Sequence, residues 1–273
     1  VHGHPVEMNR MIALLMVLCL SAAPRASADG IEVDLELVLM VDVSRSMTER
    51  ELEIQRRGYA EALQSNAVFA AVQSGLLQSV AMTYVEWAGT QEVIVDWRIL
   101  QTRDDLEAFA HTLTSKFDPA LRRTSISEAV MFGAERINTN IYSGLRRVID
   151  ISGDGPNNQG RGVEKARDAV LAQGIIINGL PLLTREGMGS DWHLDRLDIY
   201  YESCVIGGPG SFVIPVLDWD DFAEAVRRKL VLEMVALPPS ETAIRVQGVP
   251  RDPRDCLVGE KISQERRRYW DEP

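Results

Sequence analysis

Glu36-Leu37-Val38-Leu39-Met40-Val41-Asp42-Val43-Ser44-Arg45-Ser46-Met47 is the stretch that decides how this chain folds. Its apolar run, Leu37 to Val41, is short and rich in β-branched residues, the pattern of a strand buried on both faces. Side chains alternate along a strand, so the extended spacing points Asp42, Ser44 and Ser46 the same way. One carboxylate and two hydroxyls then gather at the C-terminal end of a core strand, where open α/β sheets bind ligands. A second reading fits equally well. Ser46-Met47-Thr48-Glu49 has capping-box spacing, so the polar residues could simply start the next helix.

The chain downstream alternates strands with helices. Thr48 to Val72 reads as one long amphipathic helix stopped by Gly75. Gln78 to Trp87 and Glu92 to Leu100 are strand-like and separated by the turn Ala88-Gly89-Thr90, which predicts a hairpin. Asp104 to Leu113 and Ser125 to Ile137 read as helices, and Arg147 to Ser152 as a second core strand. That strand ends in the loop Gly153-Asp154-Gly155-Pro156-Asn157-Asn158. Then follow a helix from Val163 to Gln173, closed by Gly174, and a strand from Ile175 to Leu180. A helix over Asp191 to Ser203, a last strand over Phe212 to Val216 and a helix over Asp220 to Met234 complete the pattern. Such alternation predicts a doubly wound, mostly parallel α/β sheet with one antiparallel edge strand and helices on both faces.

The two ends have a different character. Arg10, the apolar stretch Met11 to Ala23 and Ala26-Ser27-Ala28 form the three-part pattern of a secretory signal peptide. The apolar stretch is 13 residues long, whereas a spanning helix needs about 20. Residues 1–28 are therefore read as a cleaved signal, with 1–7 as an upstream extension before Met8. Residues 29–235 are read as the folded domain, and 236–273 as an extended Pro- and charge-rich tail. An exported chain, periplasmic or secreted and with no membrane span after cleavage, is expected. Cleavage removes Glu7, Arg10 and Arg25, taking the net charge from −11 to −12. So acidic a chain is a poor match for nucleic acid, whose backbone demands clustered Lys and Arg. Cleavage also leaves Cys204 and Cys256 as the only cysteines, which in an exported chain suggests one disulfide.

Three loops can meet at one edge of the predicted sheet. The first carries Asp42, Ser44 and Ser46, the second Thr124 at the entry to a helix, and the third Asp154. Two carboxylates and three hydroxyls, with no His or Cys, are hard oxygen donors suited to Mg²⁺ or Mn²⁺. With these five positions in this order, the sequence resembles a von Willebrand factor type A domain with its metal-ion-dependent adhesion site. The family pattern is D-x-S-x-S after the first strand, a Thr before a later helix and an Asp-Gly after the fourth strand. Here it is matched by Asp42-Val43-Ser44-Arg45-Ser46, by Thr124 and by Asp154-Gly155. Within that family the chain is similar to a secreted bacterial branch without an assigned activity.

The resemblance implies a non-enzymatic binding protein. The serines and the Thr would coordinate the metal, the aspartates would act through water, and a protein partner would supply an acidic side chain as the last ligand. One departure stands out. Arg122 and Arg123 precede Thr124 where the family carries small residues. Beside a cation they weaken metal binding unless they point outward, when with Arg45 they form a positive rim for an acidic ligand. Solvated surface arginines are the alternative. Two other classes stay open: a Mg²⁺-dependent hydrolase or phosphatase with Asp42 as nucleophile, and a scaffold with an empty site. Against the hydrolase, Ser44 stands where a second strand-end acid is expected. His111 and His193 read as surface or satisfied core residues rather than ligands, and Trp192, Tyr200, Tyr201 and Trp219 as core packing, with a binding surface as the alternative.

Overall fold

A computed structural model of the chain describes residues 30–44, 46–115, 124–184, 194–235 and 255–271. Residues 1–30 and 31–273 separate into two units. The segment read as a signal peptide, together with Arg45, Arg122, Arg123, Trp192 and His193, lies outside the described residues.

Five strands form one sheet: β1 (Ile31–Asp42), β2 (Val80–Trp87), β3 (Gln91–Leu100), β4 (Tyr142–Gly153) and β5 (Ile176–Pro181). Their spatial order is β3-β2-β1-β4-β5, with only the β2–β3 pair antiparallel. The central strand explains why its run of apolar residues is unbroken. Leu35, Leu37, Leu39 and Val41 face one cluster, which includes residues of α1 (Glu49–Leu63), α2 (Asn66–Gln73), α3 (Arg103–Ser115) and α7 (Phe222–Met234). Val38 and Met40 face the other, built on α4 (Ile126–Asn138), α5 (Val163–Leu171) and α6 (Leu197–Tyr200). Each of these six β1 side chains is fully buried, which alternation between two covered faces requires. The doubly wound architecture expected from the sequence is the one observed.

The topology fixes where a site can sit. From β1 the chain moves to β2 and β3 on one side, then crosses back to β4 on the other. The C-terminal ends of β1 and β4 therefore flank a topological switch point, the crevice where such sheets bind ligands.

Several local expectations change. The helix predicted over 48–72 is two helices, because Ser65 accepts from the Val68 N–H and donates to the Ala62 carbonyl, ending α1 and capping α2. Thr48, not Ser46, caps α1: its hydroxyl accepts from Glu51 N–H while the Glu51 carboxylate accepts from Thr48 N–H. The segment from Phe212 to Val216 follows β5 only through isolated bridges at Val213 and Val216; Pro215, lacking an N–H, lies between them. The helix expected over 191–203 is the single turn α6, continued as a π-helical turn over Tyr201–Val205. Within the stretch read as an extended tail, residues Val258–Asp271 form a helix, α8. Cys204 in the π-helical turn is disulfide-bonded to Cys256 just before α8, as the cysteine count suggested. Among the described residues no helix is long and apolar enough to cross a membrane.

Candidate metal centre

Asp42 is the last residue of β1 and is wholly buried. Two elements hold it in place. Gln55 of α1 donates its side-chain amide to the Asp42 carbonyl at 3.0 Å, and Ser44 N–H donates to Asp42 Oδ1 at 2.7 Å. The chain then turns, with Met47 N–H returning to the Ser44 carbonyl, which brings the two serine hydroxyls to 2.9 Å of one another. Ser46 Oγ in turn donates to Asp154 Oδ1 at 2.9 Å, across 108 residues of sequence. Asp42, Ser44, Ser46 and Asp154 are thus one hydrogen-bonded row bridging the ends of β1 and β4.

Thr124 is buried and joins the same edge through its backbone. Its N–H reaches Asn158 Oδ1 at 3.4 Å, and Asn158 N–H reaches its carbonyl at 3.2 Å. The neighbouring Ser125 N–H is bound by the Ala88 carbonyl after β2, so the entry to α4 is fixed from two sides.

The loop after β4 is organised by a residue that sequence reading missed. Asn157 is fully buried; its Oδ1 accepts from Ser127 N–H at 3.0 Å, and its backbone N–H donates to Tyr200 Oη at 3.2 Å. Its amide nitrogen donates to Glu260 Oε1 of α8 at 2.6 Å and to the Arg161 carbonyl at 3.3 Å. Nothing in the motif pattern announces this role, because the partners lie on α4, α6 and α8.

Within the row, Asp42 is the electrostatically exceptional member. Asp42 Oδ2 is buried and has no hydrogen-bond partner. Burial drives the Asp42 carboxyl well above its ordinary range, the neighbouring Asp154 pushes it further, and the hydrogen bonds from Ser44 oppose the rise. Asp42 has no ion-pair partner among the described residues. An orphaned carboxylate oxygen, a second carboxylate and aligned hydroxyls are a donor set that fits a hard divalent cation. Among the described residues no three His, Cys, Asp or Glu side chains cluster, so a cation here would depend on the hydroxyls as well as on the two carboxylates.

None of the other candidate residues that are described hydrogen-bonds to this row. Tyr200, Tyr201 and Trp219 are core residues, as expected, and His111 is exposed on α3.

The five-stranded, mostly parallel sheet with an antiparallel edge and helices on both faces is a doubly wound α/β fold. The chain belongs to the family described as protein of unknown function DUF1194, whose model matches residues 32–238. No match was found among curated proteins. Similar solved structures include the pilus adhesin SpaC from Lactobacillus rhamnosus GG, at TM-score 0.55 and 10% identity over 76% of this chain and 31% of that one. A von Willebrand factor type A protein from Catenulispora acidiphila aligns at TM-score 0.49 and 11% identity, over 74% of this chain and 43% of that one. Proximal thread matrix protein 1 from the mussel byssus, in a structure with a zinc-occupied MIDAS motif, aligns at TM-score 0.48 and 12% identity. That match covers 74% of this chain and 46% of the mussel protein. The chain therefore spans less than half the length of each of these three proteins. At such identities the likeness concerns the fold alone.

Proposed function

We propose that the chain is an exported, non-enzymatic binding protein that recognises a protein partner through a divalent cation, Mg²⁺ or Mn²⁺. Asp42, Ser44, Ser46, Thr124 and Asp154 would hold the ion. The observation that carries this reading is the row Asp42–Ser44–Ser46–Asp154, with Asp42 Oδ2 buried and unpartnered at its base. A cation there would offset both the burial of the Asp42 carboxylate and the repulsion it meets from the half-buried Asp154.

The chemistry also suggests what the ion would do. Neutral hydroxyls leave much of a divalent charge uncompensated, so a coordination position open to solvent attracts a carboxylate from outside. The partner would supply it from a Glu or Asp. Arg45 and the Arg122-Arg123 pair are adjacent in sequence to the ligands, and a rim formed by them would favour an acidic surface.

Calorimetric titration of the chain from residue 29 with Mg²⁺ and Mn²⁺, beside Asp154→Ala, tests the reading. Saturable heat in the wild type and its loss in the variant are expected. No heat in the wild type would leave a scaffold with an empty site. Mg²⁺-dependent phosphatase turnover abolished by Asp42→Asn would replace the binding reading with the hydrolase.

A further inference from the structure

Tyr201 opens the π-helical turn after α6 and is completely buried, yet its hydroxyl has no hydrogen-bond partner. Asp42 Oδ2 is in the same condition. Both atoms converge on Gly153, the last residue of β4. A Cβ placed on Gly153 would lie 2.8 Å from Tyr201 Oη and 2.9 Å from Asp42 Oδ2. The ring arrives there across Gly179 of β5, where a Cβ would lie 2.7 Å from Tyr201 Cδ1.

These two glycines form a slot. Gly179 is in register with Ile151, two residues before Gly153, so both glycines face the same side of the sheet. That is also the side of Val38 and Met40, and hence of Asp42 two residues further along β1. Any side chain at either glycine crowds the ring or its hydroxyl. The slot therefore delivers one phenolic O–H to the base of the metal centre. A phenylalanine would fill the same space without burying an unpartnered polar group, so packing alone does not account for the hydroxyl.

We infer that Tyr201 is a positioning residue of the metal centre, donating its O–H to Asp42 Oδ2 when the site holds a divalent cation. This rests on the metal-binding reading above. A hydrogen bond of this kind fixes the orientation of a carboxylate beside a metal. The Cys204–Cys256 disulfide, three residues beyond Tyr201, anchors the turn that carries it.

Tyr201→Phe tests the inference because it keeps the ring and removes only the hydroxyl. Mn²⁺ affinity by calorimetry is expected to fall about 10-fold or more in the variant. Metal-free thermal stability should be equal to or above that of the wild type, since an unpartnered buried hydroxyl has gone. Addition of Mn²⁺ should produce a near-UV tyrosine difference spectrum in the wild type that Tyr201→Phe lacks. Equal Mn²⁺ affinity in the two proteins, or weaker binding matched by a lower metal-free stability, would overturn the role of Tyr201 and leave the metal site intact. A wild type that binds no Mn²⁺ would overturn the metal reading, and Tyr201 with it.

Discussion

Asn157 and Glu260, 103 residues apart in sequence, are joined by a hydrogen bond of 2.6 Å from the Asn157 side-chain amide to Glu260 Oε1. This bond ties the loop that follows Asp154 to α8, and the fit there is close. A Cβ on Gly259 would lie 2.2 Å from the Asn157 carbonyl oxygen. The C-terminal helix therefore braces the loop from outside while Ser127 and Tyr200 hold it from within. Asn157 thus couples three helices to one side of the candidate site.

Removing that hub should loosen the site and the fold together. Asn157→Ala strips partners from the buried Ser127 N–H and from the part-buried Arg161 carbonyl and Glu260 carboxylate. A loss of about 2–4 kcal/mol is expected from the stranded groups, read by urea denaturation. Unchanged stability would show that the hub is not needed to hold the loop.

The disulfide should matter for a different reason. Cys204 and Cys256 are 52 residues apart, and closing a loop of that size stabilises the fold by about 4 kcal/mol in the chain-entropy model. Cys204→Ser plus Cys256→Ser should lower stability by a comparable amount. Amide exchange over residues 258–271 should rise more than exchange in β1, because α8 loses its covalent anchor and β1 loses none. Equal exchange in the two segments would contradict this division.

A buried charge cluster on the opposite face of β4 predicts a pH dependence. Lys229 Nζ of α7 lies 2.9 Å from Asp150 Oδ1 and 2.7 Å from Glu233 Oε1, with all three residues buried. Two carboxylates share one ammonium, and Asp150 is pushed up to about 7 by burial and then by the charge of Glu233. Its ordinary value is 3.8, so between these limits the folded chain retains a proton that the unfolded chain releases. The stability this group contributes is full below about pH 4 and is lost as pH rises through about 7. The wild-type advantage over Asp150→Asn should therefore shrink across that window, by at most about 1.4 kcal/mol per pH unit. An advantage that grows with pH would reverse the assignment.

Much of the scaffold was legible from local pattern. Leu37 to Val41 and Arg147 to Ser152 read as core strands because burial on both faces leaves a nearly unbroken apolar run. From these strands the meeting of Asp42, Ser44, Ser46 and Asp154 at one sheet edge followed by topology. The choice of cap did not. Ser46…Glu49 and Thr48…Glu51 have the same spacing, and only the turn from Ser44 to Met47 decides between them. Ser65 looked like any helix residue until its hydroxyl bonded both ways. Tyr201, Gly153 and Gly179 carry no motif, since their relationship exists only once β4, β5 and the π-helical turn are packed. Asn157 and Glu260 were hidden for the same reason, their partner being 103 residues away.

The proposed function requires a divalent cation between the ends of β1 and β4. Anomalous diffraction at the manganese edge from crystals grown with Mn²⁺ tests it most directly. A single strong peak is predicted within coordination distance of Ser44 Oγ and Ser46 Oγ, flanked by Asp42, Thr124 and Asp154, and absent from Asp154→Ala. A peak elsewhere on the molecule, or none at saturating Mn²⁺, would contradict the account.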